Sequence, residues 1–126
     1  MKAQVSFEFF VALSFLTIIF LASLAVYNEE VKNVDLILSR MSAQAVASDF
    51  SRAINGVYQC GDGCSYRLRL REGYSIAVYG RVVEAVGNSQ LSQAPLVTDS
   101  VEMLSATPGK EVVVANNNGV IELHDA

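Results

Sequence analysis

Histidine occurs once, cysteine twice and proline twice in this chain of 126 residues, and each shortage closes off a class of chemistry. With His124 the only imidazole and Cys60 and Cys64 the only thiols, a metal centre would lack at least two of the soft ligands that a tetrahedral site needs. No histidine stands by spacing beside a serine or cysteine, no glycine-rich phosphate loop is present, and no pair of carboxylates has a distinctive setting. Neither an enzyme nor a bound cofactor is therefore expected. Asp99 and Glu102 read as turn and strand-edge groups, and His124 reads as a solvated tail residue. Asn-x-Ser/Thr triplets are also missing, which removes the usual N-glycosylation acceptor. The formal net charge is −4, and the part from Gly56 onward carries eight acids against five bases, so a nucleic-acid binder is disfavoured.

Two further absences concern shape. Glycine and proline are both missing from Met1 through Asn55, with Gly56 the first breaker, so nothing interrupts one helix over residues 4–55. Charged residues are missing from Phe9 to Asn28, which leaves an apolar segment over 9–27. At about 1.5 Å per residue a helix of about 20 residues matches a bilayer core of about 30 Å. Ser14, Thr17 and Ser23 do not forbid insertion, because each is small enough to bond a carbonyl one turn back. Lys2 before the span and Glu29-Glu30 after it put Met1 in the cytoplasm and the bulk of the chain outside. A cleaved secretory signal is the competing reading, with small residues at Ser23-Leu24-Ala25. Against it stand an apolar core longer than about 15 residues and a helical pattern that continues through the supposed cut.

One carboxylate, Glu8, sits just inside the leading edge of the apolar run. An ionised side chain in hydrocarbon costs about 2.5 to 3.5 kcal/mol at the centre of a spanning helix, less near an end, so something must compensate it. The arrangement Gln4, Ser6, Glu8, directly after Met1-Lys2-Ala3 and before the apolar run, resembles the class III signal peptide of archaeal type IV pilin-like proteins. The likeness covers about the first twenty-five residues. It departs from the pattern where Ala12 takes the place of the usual leucine, with Leu13 following. The resemblance implies that residues 1–3 are a leader, that prepilin peptidase cuts between Ala3 and Gln4, and that Phe9, Phe10, Leu13, Phe15, Leu16, Ile18, Ile19, Phe20 and Leu21 enter a filament core. It implies as partners the membrane before assembly, the pilus assembly machinery and identical copies afterwards, in a surface filament used for adhesion. Glu8 would then neutralise the new amine of Gln4 on its own or an adjacent chain. Minor or secretion-type pseudopilins and archaellin-like motility subunits share this physics. A membrane-anchored binding domain that never polymerises is the alternative from another class.

Beyond the span, Tyr27, Val31, Val34, Leu38, Met41 and Ala45 recur at alternating steps of four and three, with Phe50 and Ile54 one column over. This predicts an amphipathic helix whose stripe forms most of its contact with a globular core. From Gly56 to Ala126 the texture is that of short strands and turns. Ser65 to Leu70 alternates, with Tyr66, Leu68 and Leu70 on one face and Arg67 and Arg69 on the other, continued by Arg71. Further strands are expected at 74–79, 82–86, 96–98, 101–104, 111–115 and 120–123, with 87–95 as a looser stretch. The expected fold is α+β: one long helix on a small antiparallel meander. Seventy-one residues are few for an independent core, and two aids are visible. The helix offers a packing surface, and Cys60 and Cys64 can close a disulfide across Gly61-Asp62-Gly63 or remain a reduced pair. The arginine row reads as the solvated face of a strand before it reads as an anion site.

Overall fold

In the computed structural model, which describes residues 2–126, one helix and seven strands follow in order. They are α1 (Lys2–Cys60), β1 (Ser65–Arg69), β2 (Tyr74–Tyr79), β3 (Val82–Gly87), β4 (Gln90–Pro95), β5 (Val101–Met103), β6 (Glu111–Asn117) and β7 (Val120–Asp125). The α+β class expected from the sequence is the one observed. The chain divides into two compact units, residues 1–37 and residues 38–126, and α1 contributes to both.

In the first unit every residue from Ala3 to Ile37 is exposed. The hydroxyls of Ser14, Thr17 and Ser23 donate to the carbonyls of Phe10, Leu13 and Ile19, each at 2.8 Å. These polar groups are thereby satisfied within the helix itself, as an apolar medium requires.

The second unit has a conventional core. Helix residues Val46, Ala47, Phe50, Ile54 and Val57 meet strand residues Val83, Val112, Val114, Ile121 and Leu123, all buried. The strands form two sheets rather than the single meander expected. One has the order β1-β6-β7-β5, with β5 parallel to β7 and the other pairs antiparallel. The other is the meander β2-β3-β4. The central hairpin β6–β7 turns through Asn118 and Gly119, both at positive φ, the turn geometry that matches strand twist. β2 lies alongside β5, where the sheets meet.

Four local expectations are corrected. The helix does not stop at Gly56; it continues to Cys60 because Val57 is buried in the core, and it ends where Gly61 takes φ 103° and returns its N–H to the Val57 carbonyl at 3.3 Å. The core-facing stripe is also different. Phe50 and Ile54 are buried as expected, but Leu38 and Met41 remain outside, and the core is completed by Ala43, Val46, Ala47 and Val57, with Ala43 two residues, about 200° around a helix, from Met41. Ala43 and Ala47 are both fully buried on this face, beside the larger Phe50 and Ile54. Residues 90–95 form a strand, not a loose stretch, joined to β3 by Asn88 and Ser89, both at positive φ. Conversely 96–98 is not a strand: the Val97 N–H is taken by the Asn55 side chain at 2.9 Å, which ends the ladder.

Two smaller differences concern single side chains. His124 belongs to β7 opposite Val113 and is half-buried, so it is not a solvated tail. Tyr66 stays exposed although Leu70, on the same face, is fully buried.

Candidate functional site

The candidate site is the front of α1. Ala3, Gln4 and Glu8 occupy its first turns and are all exposed. Gln4 and Glu8 are four residues apart, so a helix places them one above the other on one face. The side chain of Glu8 thus lies within one turn of the backbone nitrogen of Gln4, the atom that becomes an amine if the chain is cut before it.

Phe9, Phe10, Leu13, Phe15, Leu16, Ile18, Ile19, Phe20 and Leu21 follow on all sides of the helix, between 46% and 67% exposed. The rings of Phe9 and Phe10 meet edge to face, with centroids 6.2 Å apart. The helix is apolar all round and uncovered here, and among the described residues α1 alone is long and apolar enough to cross a membrane. Leu16, Thr17, Ile19, Phe20 and Ser23 surround an open hollow, because Thr17 and Ser23 are shorter than their neighbours. Small residues of this kind let a second helix come close.

The uncovered surface does not end with the apolar segment. Val31 is 42% exposed, Val34 52%, Leu38 56% and Met41 65%. They lie past Asn28, beyond the stretch of about 20 residues that a bilayer core accommodates. This extension could be foreseen only in part: its period is plain in the sequence, but not that the head, residues 38–126, would bury a different face of α1.

Cys60 and Cys64 are joined by a disulfide, Cα to Cα 6.1 Å, which ties the end of α1 to the start of β1. Arg67, Arg69 and Arg71 are exposed, and Arg69 donates through Nε to the Gly109 carbonyl at 3.2 Å. Tyr74 is buried, whereas Tyr58 and Tyr79 are on the surface. Among the described residues no three His, Cys, Asp or Glu side chains gather as a metal site. No protein-family model, curated protein or solved structure matches the chain.

Proposed function

We propose that this chain is a structural subunit of an archaeal type IV pilus-like surface filament, held in the membrane by α1 before assembly and packed by α1 against identical helices afterwards. The observation that carries the reading is the uncovered apolar stripe Val31, Val34, Leu38 and Met41, which continues past the length lipid can cover. A lone anchored domain would leave that stripe in water, where a contiguous apolar patch is a mark of an interaction surface. A bundle of copies covers both the stripe and the segment before it. Transfer from lipid to bundle costs little for residues 9–27, since one apolar environment replaces another and close packing adds dispersion contacts.

In this reading prepilin peptidase removes residues 1–3 and so creates the positive charge that Glu8 needs. Before the cut Gln4 carries a neutral amide nitrogen; after it, an ammonium group stands one turn from the carboxylate. Burial of Glu8 in the filament becomes tolerable only then, which couples maturation to assembly. The head then decides what the filament adheres to.

The test has two arms. N-terminal mass determination on native surface material should find chains starting at Gln4; an intact Met1, or a start at Val26 with no high-mass assembly, is the result for a monomeric anchored or secreted protein. Glu8→Gln should insert and be cut normally yet give few filaments, because removing one partner of a buried pair costs about 3 to 5 kcal/mol per subunit. Abundant normal filaments from Glu8→Gln would overturn the role given to that residue.

A further inference from the structure

Of the four outer strands of the head, β2 and β5 lie against each other, while β4 and β1 are treated differently. β4 has its free edge occupied by α1: Ser51 donates to the Pro95 carbonyl at 2.5 Å, Asn55 to the same oxygen at 3.4 Å, and Gln44 to the Gln93 carbonyl at 3.5 Å. Pro95 also removes one donor from that edge. β1, at the far end of the four-stranded sheet, pairs only with β6. Leu70 donates to the Lys110 carbonyl at 3.0 Å and Asn116 to the Cys64 carbonyl at 2.8 Å. Alternation along an antiparallel ladder therefore turns the N–H and C=O groups of Ser65, Arg67 and Arg69 away from β6. Ser65 and Arg69 line an open groove of about 840 Å³ between β1 and the end of α1.

The groove has the form of a strand slot. Its apolar lining comes from Ala53, Val57, Leu68 and the Cys60–Cys64 disulfide, with Ser65 and Tyr66 of β1 beside them. Gly56 leaves it open: a Cβ at that position would meet nothing within 4 Å. Arg52 and Arg69 stand at the rim with Arg67 beside them on β1, against the single acid Asp49.

We propose that β1 and this groove bind an extended segment of another protein by strand addition, with apolar side chains turned into the groove and carboxylates on the alternate positions opposite Arg67 and Arg69. An added strand would pair its backbone with Ser65, Arg67 and Arg69, and period-two alternation then sends every second side chain to each face. Opposite charges directly across two strands attract, which selects acids on the outer side. The segment comes from a different protein because no two acids of these 126 residues stand two positions apart, so no stretch of this sequence presents carboxylates on the alternate positions opposite Arg67 and Arg69. This inference does not depend on whether α1 assembles into filaments.

The experiment uses the full chain in nanodiscs and a fluorescein-labelled peptide of about six alternating Glu and Val residues, a typical strand length, with a Lys/Val peptide as control, read by anisotropy. The Glu/Val peptide should bind in a salt-sensitive way and the control should not. Gly56→Leu fills the groove without a clash and removes a helix-interior glycine, so it should keep the fold while weakening binding about tenfold or more. Arg67→Glu with Arg69→Glu should reverse the preference between the peptides. Three results would overturn the proposal: neither peptide binding, unchanged binding by Gly56→Leu, or a loss of self-association in Gly56→Leu without any peptide, which would make the occupant a second copy.

Discussion

Residues 3–37 and residues 38–126 solve the burial of apolar side chains in opposite ways. The second region closes on itself: Phe50, Ile54, Leu70, Ile121 and Leu123 are all within 1% of full burial. The first region exposes every large apolar side chain it has, from Val5 at 66% to Ile37 at 56%. Yet both draw on one continuous helix. Helix formation is thus no guide to where stability comes from. In one region the chain supplies its own apolar environment; in the other, which is a candidate membrane span, it supplies none.

The largest effect that sharpens this contrast is a pair of truncations. Phe50→Ala should destabilise the head by about 3 to 5 kcal/mol, a large share of what a small domain possesses. Phe10→Ala should leave head stability unchanged and act only on insertion or assembly. Hydrogen exchange of the β-strands in detergent measures both; equal loss of protection in the two variants would break the contrast.

A smaller effect is expected at the junction of helix and sheet. Cys60 and Cys64 close a loop of a few residues, for which lost chain entropy corresponds to about 2 kcal/mol. Cys60→Ser with Cys64→Ser should therefore lower the melting temperature of the head by several degrees, as thermal unfolding followed by circular dichroism will show. The apolar segment before residue 28 should keep its helicity through the same transition.

How far the sequence foretold this molecule depends on which signal each element carries. β1, β2, β3, β6 and β7 announce themselves by alternation and by glycine turns, and the long helix by the absence of any breaker. β4 does not, because Ser92, Gln93 and Pro95 dilute its pattern and its turn, Asn88-Ser89, reaches positive φ without glycine. Gly56 misleads in the other direction: a lone glycine costs a helix about 1 kcal/mol, which the burial of Val57 and Ile54 outweighs. Phe50 and Ile54 were legible as inward-facing, but the rest of the stripe was ambiguous because a second apolar row, through Leu38 and Met41, runs along α1. Only the sheets, which come from distant sequence, choose the row with alanines. At the front of α1 the residues of interest, Gln4 and Glu8, were legible as a motif and as a misplaced charge. The β1 groove was not, since it arises from an edge strand and a helix end meeting across a disulfide.

The smallest expected effect tests how the head closes its last strand, where no apolar burial is involved. Asp125, at the end of β7, accepts from Thr107 twice: from the N–H at 2.8 Å and from the side-chain hydroxyl. The hydroxyl bond, then the backbone bond, hold its carboxyl below the ordinary carboxylate range, with Lys110 and His124 adding to the effect against a desolvation that opposes it. A carboxyl whose folded-state pKa is depressed binds protons less readily in the folded chain. Its contribution is therefore complete above its unfolded pKa, about 4, and is lost as pH falls through the lower folded value. Thr107→Val removes one of the two bonds, so its deficit in melting temperature should be present at neutral pH and shrink towards zero in strong acid. Asp125→Asn should show a deficit of the same sign and the same fading. A deficit in Thr107→Val that stays constant from neutral pH into acid would mean the threonine acts by packing, and that even this exposed closure follows the logic of the core.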